Sequence, residues 1–344
     1  MLRTPIVLSL FTLALAKSSA FAADWSPEAA ARYLDGRQQE WFAWKTAQSA
    51  DGPCVSCHTG MTYLIARPAL RKALKETEPT TWEKGLLDRL RANVGAKPAG
   101  PLQSVEAIFS AMFLSDADAR TTMSVHRQKA FDQLWSLQNG EGANQGAWRW
   151  YAANLDPWEN PESVYYGASL AALALGSTPA AYRDDAATRD RIAALNRYLT
   201  ARPAAPRLHD RLAMLWAGST LPALLTDNAR RDLIAETFAK QAADGGWSLE
   251  ALGPWMAHPD APLHEGSDSY ATAFTAFAMH KGGVRASHPG MAKALAWLKA
   301  KQDPKSGAWP AVSMNKQRPP ESMEGRFMQD AATAFAAIVL LESR

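Results

Sequence analysis

Apolar positions along this chain recur at helical spacing and almost nowhere alternate as in a half-buried strand. The helical stretches come in pairs, divided by loops that contain Gly, Pro or Asn. The two members of a pair differ in kind. The first is amphipathic and charged, as at Arg189-Asp190-Arg191, and the second is apolar nearly all round, as from Ala331 to Leu341. Outer helices facing water around inner helices facing each other would produce that contrast. One pair is expected over residues 27–76, with both cysteines in its connecting loop. A second spans 80–119, where Ser104 or Glu106 opens the inner helix, and another spans 186–225, where Asp210 follows Ala204-Ala205-Pro206.

The remaining three pairs carry a sequence repeat. Gln241 leads through Asp244-Gly245-Gly246 to Trp247, and Asp268-Ser-Tyr-Ala-Thr-Ala-Phe274 begins 21 residues after that Trp. Gln302 leads through Gly307 to Trp309, and Asp330-Ala-Ala-Thr-Ala-Phe335 begins 21 residues later. A more divergent copy runs from Gln138 through Gly146-Ala147-Trp148 to Glu162-Ser163 and the small-residue run Gly167 to Ala172. Each copy has one physical logic. A helix ends at Gln, a Gly turns the chain with positive φ, a Trp packs over the helix end, and an acidic or hydroxyl residue caps the next helix.

These Gln-to-Gly-x-Trp repeats resemble the QW repeats of squalene-hopene cyclases and the wider terpenoid cyclase/prenyltransferase superfamily. The resemblance covers about residues 130–342 and implies an all-α fold, a single (α/α)6 toroid of six helix pairs, with inner-helix starts lining one mouth of a central cavity. It says little about the reaction, because such repeats are mainly structural. Hopene-type cyclases protonate an alkene with an Asp-x-Asp-Asp cluster just before Thr-Ala. The aligned acids here are Glu162, Asp268 and Asp330, the candidate catalytic residues; each stands without the cluster, and an acid at a helix start also serves as a cap. The prenyltransferase relatives need a zinc site with a cysteine, and both cysteines of this chain belong to another motif.

Residues 1–22 read as a signal peptide: Leu2-Arg3, an apolar run from Ile6 to Ala16 too short to span a bilayer, and cleavage after Ala20-Phe21-Ala22. Residues 23–344 then form one toroid domain, placed in the periplasm or secreted. Formal charge is +3, and loss of Arg3 and Lys17 with the signal leaves +1, a balance that argues against nucleic acid as a partner. Two cysteines exclude a disulfide-stapled fold.

The cysteines form Cys54-Val55-Ser56-Cys57-His58. That spacing matches covalent attachment of one c-type haem, with both thiols on the porphyrin and His58 on iron. In a closed ring the last repeat adjoins the first, which makes Met314, Met323 or Met328 the candidate second axial ligand. His258, His264 and an open iron position are alternatives. The resulting expectation is an exported haem protein working in electron transfer or in oxidation of a hydrophobic, isoprenoid-like ligand, with a redox partner protein. The alternatives are a terpenoid-cyclase-type isomerase and a non-catalytic binding protein for a hydrophobic ligand. A sugar-binding reading, with Glu159 and Glu162 beside exposed Trp, is compatible with such barrels, although the repeats weigh against it.

Overall fold

The computed structural model describes residues 25–49, 52–95, 100–114, 123–201, 206–261 and 263–343. The expected signal peptide at 1–22 lies outside the described residues. Among the described residues there are six helix pairs, each an outer helix followed by an inner one. They are α1 (Pro27–Ala43) with α2 (Gly60–Ala73), α3 (Thr81–Asn93) with α4 (Gln103–Phe113), and α5 (Val125–Ser136) with α6 (Val164–Gly176). After the short α7 (Ala180–Asp184) come α8 (Ala186–Thr200) with α9 (Leu208–Ala217), and α10 (Asp227–Ala239), whose partner α12 (Ser269–Lys281) follows the short α11 (Leu249–Leu252). The last pair is α13 (Pro289–Lys301) with α14 (Phe327–Glu342). A two-stranded ribbon, Gln48–Ser49 against Gly52–Pro53, sits just before the cysteines.

The inner helices are made of small and apolar residues because they are covered on every side. In α12, every residue from Ser269 to Met279 is buried, and in α14 every residue from Asp330 to Leu340. Inner neighbours run α4, α6, α9, α12, α14 and then α2, while α3 packs on both α2 and α4. The fold is thus an (α/α)6 toroid.

The repeated Gln, Gly and Trp explain why this ring forms. Each Trp indole donates to a carbonyl near the end of the preceding outer helix: Trp148 to Leu134 O (2.6 Å), Trp247 to Thr237 O (2.8 Å) and Trp309 to Leu298 O (2.7 Å). These carbonyls lie in the last turn of each outer helix, where acceptors outnumber the helix's own donors. Each Gln amide bridges two carbonyls, one in its own loop and one on the next outer helix or its cap. Gln138 reaches Gly146 O and Arg191 O, and Gln241 reaches Gly245 O and Gly290 O. Gln302 reaches Gly307 O and Ser26 O, and Ser26 N donates back to it at 2.7 Å. Because Ser26 caps α1, the sixth pair binds the first with the bond that joins its predecessors. The ring closes rather than continuing as an open solenoid.

Glycine is required in the same loops. Gly146, Gly245 and Gly307 have φ of +90°, +99° and +79° and lie against the backbone of the next outer helix. A Cβ on Gly307 would run into the Ala29 carbonyl of α1. Gly307→Ala combines a left-handed backbone with that collision, so it is expected to destabilise by well over about 1 kcal/mol. Thermal denaturation measures this, and a melting point equal to the parent's would refute it.

The acids at inner-helix starts divide. Asp268 caps α12 as expected, accepting from Ala271 N at 2.9 Å. Asp330 does not cap. It lies inside the first turn of α14, which begins at Phe327, and its side chain turns toward α1.

Candidate functional site

The loop from Trp44 to Thr59 leads into α2 and is fastened from α1. Trp41 Nε1 donates to Cys54 O at 2.9 Å, and Gln38 Nε2 donates to Thr59 O at 2.8 Å. Ser56 Oγ accepts from Thr59 N and Gly60 N, which satisfies the first amides of α2. This presents His58 at the mouth of the ring. Its imidazole stacks on Phe327 with centroids 3.6 Å apart and is flanked edge-on by Trp41. His58 Nδ1 meets Thr59 Oγ1 at 2.8 Å, and Thr59 Oγ1 donates to Asp330 Oδ2 at 2.8 Å. Burial, then the nearby Arg37 charge, lowers the imidazole to about 3, so it is neutral at physiological pH.

Asp330 is the anchor of this corner. It is 1% exposed and accepts from Arg37 Nε (2.7 Å), Arg37 Nη2 (3.1 Å), Tyr33 OH (2.8 Å) and Thr59 Oγ1. Burial pushes its carboxyl up, and the bidentate Arg37 guanidinium pulls the other way. With four donors on two oxygens we assign it as a carboxylate.

His58 lines a small cleft of about 60 Å³ together with Leu155, Asp156, Trp158, Glu159, Ser313, Asn315, Arg318, Glu324, Phe327 and Met328. One wall is the loop before α6, and the other is the loop before α14. Asp156 joins them: its backbone exchanges two hydrogen bonds with the Asn315 amide, at 2.8 and 2.6 Å. The Asp156 carboxylate is buried and pairs with Arg207 Nη1 at 2.7 Å; it also accepts from Met256 N at 2.8 Å and from the Asn160 amide. Arg207 also binds Asp210, and Asp210 binds His209, whose other ring nitrogen lies 2.8 Å from Tyr270 OH. The wall is therefore tied into the ring interior through the starts of α9 and α12.

Glu159 is the acid that this network leaves out. It is half-buried, and no described residue makes a hydrogen bond to its carboxyl. Desolvation alone raises it to about 7. On the opposite wall Glu324 stands 3.7 Å from Arg318. A carboxylic acid that stays protonated near neutrality, facing a second carboxylate across a cleft, is suited to general acid–base work.

The expected site residues separate in space. Glu162 is exposed on a 3-10 turn that Asn160 caps in its place. Asp268 is raised by burial to about 6 but is held by its capping bond. Neither these two nor Asp330 lines the cleft. The three methionines also part. Met314 lies in a neighbouring groove with Trp255 and His258, Met323 Sδ accepts from Arg37 Nη2, and Met328 lines the cleft with His58. His264 is exposed. Cys54 and Cys57 are free thiols. Burial first, and then nearby Glu106, raises Cys54 to about 11; burial raises Cys57 as well. Sequence reasoning missed Asp156, Arg207, Asn315 and Glu324. Of these, only the Asn160-Pro161 pair near Asp156 gave a local sign of a built turn.

No protein-family model and no curated protein matches the chain. Among solved structures it is similar to the α-1,6-mannanase GH76A from Salegentibacter sp. HEL1_6. The TM-score is 0.52 at 10% identity, over 91% of this chain and 100% of that one. It is also similar to an inactive variant of that enzyme, with two consecutive aspartates replaced by alanine, in complex with α-1,6-mannotetrose. There the TM-score is 0.52 at 11% identity, over 92% of this chain and 99% of that one. These likenesses show the fold.

They also correct the family resemblance and the function drawn from it. Solved structures similar to it over the whole ring include α-1,6-mannanases, so the toroid does not point to terpenoid cyclases. The physical reason is visible in the repeats, whose Gln and Trp are spent on helix-end hydrogen bonds that any such ring can use. The candidate acids hold a cap, a buried arginine or a surface turn, and none forms a proton-donating cluster. An electron-transfer or isoprenoid-oxidising protein is likewise not supported. Among the described residues no group of three or more His, Cys, Asp or Glu is placed to hold a metal ion. No helix among them is long and apolar enough to cross a membrane.

Proposed function

We propose that the chain is an exported glycoside hydrolase acting in the cleft beside His58. The observation that carries this reading is Glu159, a carboxyl raised to about 7 in a cleft that also presents Glu324. Glycoside hydrolysis uses two carboxyl groups in opposite protonation states, one to protonate the leaving oxygen and one to act as base or nucleophile. Glu159 supplies the protonated member, and Glu324, on the opposite wall, supplies the second carboxyl group. Trp158 and Phe327 offer flat apolar surfaces to a sugar ring, and Asn315, Ser313 and Arg318 offer polar groups to its hydroxyls. The similarity of fold to α-1,6-mannanases supports the reaction class. The aspartates whose replacement inactivates the mannanase are not carried across, since the only consecutive aspartates of this chain, Asp184-Asp185, do not line the cleft and Asp185 caps α8.

The competing proposal for the same cleft concerns a cofactor, one haem c. Cys54 and Cys57 would hold it and His58 would take its iron, with Met328 the methionine of the three that shares the cleft with His58. The motif spacing and that shared cleft support it. When bound, such a group supplies redox chemistry, and no step is drawn through it. Both readings place their occupant against His58.

One preparation tests both. The protein is secreted from cells with haem-maturation machinery, stained for haem after denaturation, and incubated with α-linked polysaccharides including α-1,6-mannan. Release of reducing ends without a haem band is the expected result. A covalent haem band, or no hydrolysis across the panel, overturns the hydrolase reading.

A further inference from the structure

The Thr59 hydroxyl has one proton, which it gives to Asp330 Oδ2 at 2.8 Å. Asp330 returns none, because its remaining contacts are donors: both Arg37 nitrogens and Tyr33 OH. Thr59 Oγ1 therefore meets His58 Nδ1, 2.8 Å away, as an acceptor, and the proton of that contact sits on Nδ1. A neutral imidazole protonated at Nδ1 carries a bare lone pair on Nε2. His58 Nε2 makes no hydrogen bond to any described residue, and His58 lines the cleft. The ring cannot swing away, since Phe327 stacks on it at 3.6 Å and Trp41 stands against its edge.

We propose that Asp330 and Thr59 are positioning residues that lock His58 in the Nδ1–H tautomer, so that Nε2 accepts a hydrogen bond from a hydroxyl of a saccharide bound in the cleft. The saccharide rests on the hydrolase reading; the tautomer does not. The relay spans the join of the ring, from α14 through the start of α2 to His58, so closure of the toroid is what sets the polarity of this wall. Any hydroxyl brought to Nε2 meets an acceptor, and a group that can only accept is repelled.

Long-range proton–nitrogen correlation on the 15N-histidine-labelled full chain reads the tautomer directly. The parent and Thr59→Ser are expected to show His58 protonated at Nδ1, and Thr59→Val, which cannot accept, to show the Nε2–H form. On a polysaccharide the enzyme cleaves, Thr59→Val should raise KM about tenfold with kcat little changed, and Thr59→Ser should restore it. An Nε2–H tautomer in the parent, or the same tautomer in Thr59→Val, overturns the relay. An unchanged KM in Thr59→Val overturns the hydroxyl contact. If no polysaccharide is cleaved, the hydrolase reading fails and the spectra still decide the relay.

Discussion

Glu159→Gln is expected to lower kcat/KM on a cleaved polysaccharide by about 10²–10⁴-fold, the usual worth of a positioned general acid. The amide keeps the shape and the half-buried setting but cannot release a proton to the leaving oxygen. The pH profile should carry the same signature. Glu159 is protonated below about 7, so hydrolysis should fall as pH rises through that value, and this limb should vanish in the variant. Stability follows by linkage. Because desolvation raises the folded-state value, the folded protein binds more protons than the unfolded chain between the ordinary glutamate range and about 7. Its stability contribution is therefore fully present below that window and is lost as pH rises through it. Glu159→Gln removes this slope and should melt no lower than the parent at pH 8. Initial rates from pH 5 to 9, with melting curves at each pH, check both statements. A variant that keeps its activity would remove Glu159 from the reaction.

Arg37→Ala is expected to destabilise the fold by about 3–5 kcal/mol, because it leaves a buried carboxylate without its counter-ion. Arg37 is 2% exposed and Asp330 is 1% exposed, and their pairing joins α1 to α14 where the ring closes. Arg37 Nη2 also reaches Met323 O, so the loop before α14 loosens with it. Arg37→Lys should recover little, since an ammonium cannot reproduce the two-pronged contact. The double variant Arg37→Leu with Asp330→Leu should cost less than Arg37→Ala alone, because no charge is then left unpaired. Urea midpoints at constant slope measure this series. A single variant as stable as the parent would show that the pair does not hold the ring.

The motif from Cys54 to His58 leads into the first inner helix, α2. It lies at the mouth of the ring, as its position before an apolar helix suggested. What surrounds it was not legible, because each neighbour comes from elsewhere: Glu159 from before α6, Glu324 from before α14, Phe327 from the first residue of α14, and Arg37 from α1. Asp330 shows the limit most plainly. Its place at an inner-helix start reads as a cap in the sequence, and capping is a local event that sequence can report for Asp268. A buried ion pair between residues 293 positions apart leaves no local trace.

By itself the sequence determined the helix pairs, their inner and outer faces and their number. Periodicity, glycine with positive φ and Trp over a helix end act within one pair or between adjacent pairs. Only the tertiary structure decided which acid keeps its proton, which methionine shares the cleft and which nitrogen of His58 stays bare. Those properties depend on desolvation and on hydrogen bonds from distant segments, and both exist only once Gln302 meets Ser26 and the ring has closed.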